Sequence, residues 1–374
     1  MKMSMPRPVL AELLAGRDNN LNLIRVLAAC AVLVSHAFPI ALGSGSVEPL
    51  EPQTGLSLGG HAVAVFFVLS GLLIARSFDR ASSHWRFAIA RVMRLFPGLA
   101  IVLVLTVMAG AMLTTRTLPD YLTDPATLLY VPGNLSLYFL QFSLPGVFED
   151  NPMGPAINGS LWTLFYEVVC YFGLFALGVL GLLRSRAAFT LVFAGLAAAF
   201  LVSLGWAPAS GLAYRLDMLA HLAFPFGLGV LAYVWRDRLP VDIRIAVVLW
   251  LLVALVMKTA ALLPMIMVAV GYSTIWFGFA VKGPLLVYNR VGDYSYGLYI
   301  YAFPVQQGLV HFLPGMTPAA NILAALPITL TLAAFSWLIV ERRALDKVDP
   351  LAVRLGALLS GRARYSAEVT RQPR

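Results

Sequence analysis

Apolar stretches of about 15 to 24 residues alternate along the chain with short charged patches. A helix rises 1.5 Å per residue, so roughly 20 apolar residues cross a hydrocarbon layer ~30 Å thick. The pattern predicts ten spanning helices, near residues 21–41, 61–75, 95–113, 160–183, 187–205, 212–235, 244–257, 260–281, 291–312 and 319–340. Closed barrels also satisfy their backbone in lipid, but their strands alternate outward and inward residues, and a run such as Leu95 to Leu113 does not alternate. The expected fold is therefore all-α, a polytopic transmembrane helix bundle. Thr127 to Phe142 is apolar enough to enter the membrane, yet its flanks (Asp120, Asp124 and Glu149, Asp150) belong to one side, so a re-entrant or interfacial segment is expected. Lys258, inside the long run Ile245 to Val281, marks a tight turn between two spans.

Composition agrees: 60% of residues are hydrophobic and 12% charged, which excludes a water-soluble globule. The net charge of +9 would raise the question of nucleic acid in a soluble protein, but its placement accounts for it without one. Arg76, Arg80, Arg86, Arg91 and Arg94 cluster in one connector, and Arg184 with Arg186, Arg236 with Arg238 and Arg244, and Lys282 with Arg290 fill alternate later ones. The intervening connectors carry acids instead, Glu48 and Glu51 in one and Glu149 and Asp150 in another. The positive-inside rule puts the basic connectors, and both termini, in the cytoplasm. Three regions follow: an N-terminal segment 1–20 without a cleavable signal pattern, a membrane domain 21–341, and a basic tail 342–374 expected to be partly disordered against lipid head groups. Cys30 and Cys170 lie within apolar runs without metal-ligand spacing and read as core residues; no metal site is expected.

Ionisable side chains at membrane depth are costly and point to function. Arg25 and His36, eleven residues apart, turn through 1100°, about 20° from three full turns, and so share one face of the first span about 16 Å apart. The alternatives are a snorkelling Arg25 and a His36 that only packs helices. Glu167, two turns into the span that starts near Ser160, lies at a depth similar to His36, and the two are expected to meet, the carboxylate fixing the imidazole's tautomer. A neutral Glu167 bonded within the bundle is the alternative. Arg91 and Arg94 share a helix face three residues apart and suit phosphate, although spacing alone equally suits positive-inside charge. Ser70, Asn158 and Trp162 are candidate site-lining groups. His61, Gly71, Arg215, Asp217, His221 and His311 read as structural, Asp293 as a helix cap, and Tyr294, Tyr296, Tyr299 and Tyr301 as packing or interface residues.

Five motifs in order give the chain a resemblance to a family: Asn22-Leu23-Ile24-Arg25 followed by His36, Phe66-Phe67-Val68-Leu69-Ser70-Gly71-Leu72-Leu73, Arg91-Val92-Met93-Arg94-Leu95-Phe96-Pro97, Asn158-Gly159-Ser160-Leu161-Trp162-Thr163-Leu164-Phe165-Tyr166-Glu167, and Gly292-Asp293-Tyr294-Ser295-Tyr296-Gly297-Leu298-Tyr299-Ile300-Tyr301. The sequence resembles the integral-membrane acyltransferase-3 family, whose members move acyl groups, commonly acetyl, onto cell-surface carbohydrates. Ala302 departs from the pattern where many members carry His, and the soluble hydrolase-like domain of some members is missing.

The resemblance implies acyl-coenzyme A, chiefly acetyl-coenzyme A, as donor. Arg91 and Arg94, with Arg25 and Arg86, would hold its phosphates, and its pantetheine arm would thread toward His36. It also implies a carbohydrate or glycolipid acceptor, a lipid environment and the inner (plasma) membrane of a bacterium. His36, with Glu167 beside it, would take the proton from the acceptor hydroxyl as general base or would itself be transiently acylated; the sequence does not decide between the two, and direct general-base catalysis is the favoured reading. A transporter or flippase of a lipid-linked glycan is the rival reading, since buried charge and helix prolines such as Pro225 and Pro327 also suit alternating access.

Overall fold

A computed structural model describes residues 8–16, 18–206 and 208–359. The helices, in order, are α1 (Leu10–Ala15), α2 (Leu21–Leu42), α3 (Glu51–Thr54), α4 (Leu58–Asp79), α5 (His84–Leu113), α6 (Leu118–Thr123), α7 (Pro125–Leu135), α8 (Trp162–Val179), α9 (Arg186–Ser203), α10 (Gly211–Val234), α11 (Ile243–Leu255), α12 (Leu262–Ala280), α13 (Ser295–Phe312), α14 (Pro318–Ser336), α15 (Arg342–Leu345) and α16 (Val348–Leu359). A π-helical turn, Trp337–Glu341, joins α14 to α15. No strand occurs among the described residues.

Each predicted span has a helix. Among the described residues eight segments are long and apolar enough to cross a membrane, while α11 is short and α13, rich in Tyr and Gln, falls outside that group. Two starts differ from the sequence reading. Ser57 caps α4, whose first residue is Leu58, and Ser83 caps α5, whose first residue is His84, so that Arg86, Arg91 and Arg94 are helical rather than in a connector. The Thr127–Phe142 stretch begins within the 11-residue α7, about 16 Å long and so too short to cross, and α7 packs on α5.

Helix α4 is central, with α2 on one side and α10 on the other; α13 and α14 extend the α2 side, α9 and α12 the α10 side. Lipid-facing positions stay apolar, as at Met112, Leu191, Leu255 and Leu323. Without a hydrophobic driving force in lipid, helices associate through close contact at small residues. A Cβ on Gly71 would fall 2.0 Å from the Phe226 carbonyl oxygen, and one on Gly229 2.0 Å from that of Val68. Gly71→Ala or Gly229→Ala should therefore destabilise the purified protein by about 3 kcal/mol, the upper range for overpacking. Gly173→Ala, where nothing lies within 4 Å, should melt like the parent; equal melting of all three would refute the packing argument.

Both described ends of the chain meet the face that carries the basic connectors. Leu10 N–H donates to the Leu239 carbonyl at 2.9 Å, and Arg76 donates to the Leu14 carbonyl at 2.6 Å. At the other end Arg86 pairs with Asp349 at 2.6 Å. Within the basic tail, 348–359 form a helix packed on α5, because Arg86 and the apolar side of α5 give it a surface to cover. Lys2, Arg7, Arg17 and the tail arginines Arg362, Arg364, Arg371 and Arg374 lie outside the described residues.

Candidate active site

Helices α2, α4, α8 and α13 enclose two chambers stacked along the bundle, with Val63 and Tyr299 lining both. The chamber nearer the basic face is lined by Arg25, Ser70, Arg94, Glu167, Tyr171 and Tyr296. The other, about 330 Å³, is lined by His36, Glu48, Ser57, Trp162, His221 and Tyr299. Arg25 and His36 thus both turn into the bundle and serve one chamber each, as their shared helix face requires.

In the basic chamber the charges are tied together. One oxygen of Asp293 accepts from Arg25 at 2.7 Å and from Arg94 at 2.6 Å, while its other oxygen accepts from Ser295 Oγ at 2.5 Å and Ser295 N–H at 3.3 Å. Asp293 lies one residue before Tyr294, the N-cap of α13, and so is not the N-cap the sequence suggests; it accepts from the helix's first N–H and bridges α2, α5 and α13. Burial alone would raise its carboxyl, but the two guanidinium groups and the Ser295 bonds hold it well below the usual carboxylate range. Arg94 also lies 3.6 Å from Glu341, which the π turn rotates inward and Ser336 holds at 2.9 Å. Tyr296 and Trp337 flank the same guanidinium at 5.8 Å. Arg25 and Arg94 are therefore neutralised rather than free.

Arg91 differs. Its guanidinium lies 6.0 Å from the Phe87 and Tyr171 rings, its buried Nε has no hydrogen-bond partner, and it makes no salt bridge among the described residues. Of the arginines proposed for phosphates, Arg91 retains unengaged donors, whereas Arg86 is turned away to Asp349.

The pairing of Glu167 with His36 is corrected. Glu167 accepts from Ser70 Oγ at 3.0 Å and from the Tyr171 hydroxyl, beside Arg25 and Arg94. His36 lies level with Gly59 and Gly60, at the opposite end of α4, since the neighbouring Ser35 Oγ accepts from Gly59 N–H at 2.8 Å. Ten to eleven residues of helix separate that level from Ser70, about 16 Å. The sequence depth estimate failed because depth counted from helix ends ignores how far each helix protrudes: α8 begins at Trp162, which itself lines the His36 chamber, so Glu167 falls below that level. The carboxylate in the His36 chamber is Glu48, from the α2–α3 connector, which accepts from Ser35 Oγ. The His36 ring packs edge-on to Phe303 at 5.3 Å, and its buried Nδ1 has no partner among the described residues.

Of the lining candidates, Trp162 is on the His36 chamber and Ser70 on the other. Asn158 lines neither chamber; its amide donates to the Ile300 carbonyl at 2.9 Å and its oxygen accepts from Ser160 N–H at 3.3 Å, so it joins the start of α8 to α13. Its placement in the site is corrected, because both ends of the side chain are spent on the backbone. Tyr299, read as packing, donates to the Ser160 carbonyl at 2.9 Å and lies 2.6 Å from Thr163 Oγ1, fixing the wall between the chambers. Glu48 and Glu341 escaped the sequence reading, the first as a topological acid and the second because it lies one residue past the expected end of the last span.

The family model described as an acyltransferase domain matches residues 18–341, nearly the whole membrane-embedded part. The chain belongs to the acyltransferase-3 family. It is similar to an O-acetyl transferase of Shigella phage Sf6, 32% identical over 342 residues, covering 89% of this chain and 98% of the relative. It is also similar to Nodulation protein 10 of Rhizobium leguminosarum bv. viciae, 26% identical over 366 residues, covering 91% and 96% of the two chains. No solved structure matches it significantly. The protein is thus a membrane-embedded acyltransferase, an enzyme rather than a carrier.

Proposed function

We propose that this acyltransferase moves an acyl group, chiefly acetyl, from acyl-coenzyme A to a hydroxyl of an extracytoplasmic glycan or glycolipid, with His36 as general base. In this reading the basic face is cytoplasmic, in the inner membrane of a bacterium, and the acyl group crosses within the bundle. The observation that carries the proposal is the polar line from the basic chamber through Tyr299 to an imidazole on the far chamber. That the phage relative is named an O-acetyl transferase supports acetyl transfer to oxygen.

Arg91 supplies the free guanidinium for the donor's phosphates, with Arg25 and Arg94 adding a field already balanced by Asp293 and Glu341. The thin acyl-bearing arm reaches past Val63 and Tyr299 into the His36 chamber. There His36 removes the proton from the acceptor hydroxyl as its oxygen attacks the thioester carbonyl. The carbon–sulfur bond breaks, and the proton passes to the departing thiolate. Glu48, rather than Glu167, is the carboxylate placed to stabilise the imidazolium while it lasts.

Arg91→Ala is expected to raise the KM for acetyl-coenzyme A by about 10- to 100-fold, equivalent to one charge-assisted contact, with the melting temperature unchanged because no protein carboxylate is orphaned. Arg91→Lys should recover only part of the affinity. Donor KM measured on both variants checks this, and an unaltered KM in Arg91→Ala would remove the residue from the donor site. The overall proposal is tested by transfer of radiolabelled acetyl from coenzyme A into glycan by membranes containing the protein; membranes that leave all label on the donor would refute it.

A further inference from the structure

A concave groove of about 720 Å³ opens beside the His36 chamber, and Trp162 lines both. Its walls include Tyr138, Phe139, Phe165, Tyr166 and Tyr214, and Arg215 is the charged residue among its lining. On α10, Arg215, Met218 and Leu222 follow at steps of three and four and so share a face; the last two line the His36 chamber, as does His221, six residues or ~9 Å beyond Arg215. Groove and chamber are therefore consecutive along α8 and α10.

The guanidinium of Arg215 lies 4.1 Å from the Tyr138 ring centroid and 5.6 Å from that of Phe165, and it donates to the Tyr138 carbonyl at 3.3 Å. A guanidinium carries five N–H donors, and among the described residues no carboxylate pairs with this one. Arg116, on the same acid-bearing face, is by contrast neutralised by Asp124 at 3.0 Å. Stacking on rings fixes the guanidinium plane and leaves its edge free for bidentate contact with an oxyanion. Rings that served only as an interfacial belt would gain nothing from enclosing an unpaired cation in a groove that leads to the chamber.

We infer that this groove is the acceptor subsite, and that Arg215 selects a glycan bearing an acidic sugar while the aromatic walls hold the apolar faces of the sugar rings. The inference rests on the acyl-transfer reading above and adds the class of acceptor. His221 faces the same route: its Nδ1 is held by the Asp217 carbonyl at 3.0 Å and Ser203 Oγ at 3.3 Å, and the ring packs edge-on to Phe200 at 5.4 Å. That leaves Nε2 for a sugar hydroxyl in the chamber.

The test uses membranes of the producing strain, which hold the natural acceptor, with radiolabelled acetyl-coenzyme A. Arg215→Gln should lower labelling of glycan at least tenfold at limiting acceptor, and Arg215→Lys by less, while the KM for acetyl-coenzyme A and the melting temperature stay at parental values. Tyr138→Leu, which removes the shelf under the guanidinium, should also lower labelling. The labelled glycan should bind an anion exchanger and lose that binding after carboxyl reduction. Unchanged labelling in both Arg215 variants overturns the subsite. A neutral labelled glycan, or one whose charge disappears only when mild acid removes a lipid diphosphate, overturns the acidic-sugar assignment. Absence of label in glycan from parental membranes overturns the acyl-transfer reading instead, so the two failures are distinguishable.

Discussion

His36→Ala is expected to lower acetyl transfer by about 10³-fold, within the range for loss of a positioned general base. The magnitude follows from the setting: the imidazole opens onto the chamber and no protein group bonds its buried Nδ1 among the described residues, whereas His221, which also lines the chamber, has its Nδ1 held by the Asp217 carbonyl and Ser203. Removing it leaves no partner orphaned, so donor affinity and melting temperature should stay near parental values. Glu48→Gln should give a smaller loss, since the charge acts on the imidazolium through space, and Glu167→Gln should affect donor binding more than the chemical step. Radiolabel transfer, donor KM and a thermal melt on the three variants make the comparison. Full acetylation by His36→Ala would refute the catalytic assignment, and a larger loss in Glu167→Gln than in Glu48→Gln at saturating donor would refute the revised partner.

Asp293→Ala should cost about 3–5 kcal/mol of stability, the range for leaving a buried charge unpaired. Arg25 and Arg94 approach one carboxylate oxygen from two helices, with side chains 26% and 15% exposed. Without it the two guanidinium groups lose their shared carboxylate, and what remains is Glu341, 3.6 Å from Arg94, and Glu167, which already accepts from Ser70 and Tyr171. Combining Asp293→Ala with Arg25→Ala should restore part of the loss, because one of the unpaired cations is then gone. The pH dependence has a definite sign. A carboxyl whose folded value is depressed adds stability above its unfolded value, near 4, and that stability is lost as pH falls toward the folded value. The parent should therefore lose melting temperature on acidification below about pH 4 by more than the variant does. Parental melting of Asp293→Ala at neutral pH would show that the bridge contributes nothing.

Much of this architecture is legible in the sequence because its causes are local. Span length, charge alternation between connectors and the 100° step of a helix depend on neighbours along the chain, which is why ten helices, the turn at Lys258 and the common face of Arg25 and His36 emerge from it. The helix caps Ser57 and Ser83 are local too, yet their effect was hidden because the glycine pair that opens α4 and the arginine-bearing first turns of α5 look like connectors.

Partner choice is not local. Whether Glu167 meets His36 or Ser70 depends on how far α8 slides along α2 and α4, and a shift of a few residues moves a side chain by several ångströms without altering any hydropathy pattern. Asp293 reads as a helix cap from its neighbours, and only the approach of α2 and α5 makes it a bridge between Arg25 and Arg94. Glu48 reads as connector charge until α2 and α4 close over it, and Arg215 reads as structural until Tyr138, far away in the chain, comes beneath it. The amino-acid order by itself determined that the chain is a bundle of membrane helices and which polar groups enter it. Tertiary packing decided which charges neutralise one another and which remain free, because Coulombic and hydrogen-bond energies fall steeply over distances that only helix register sets.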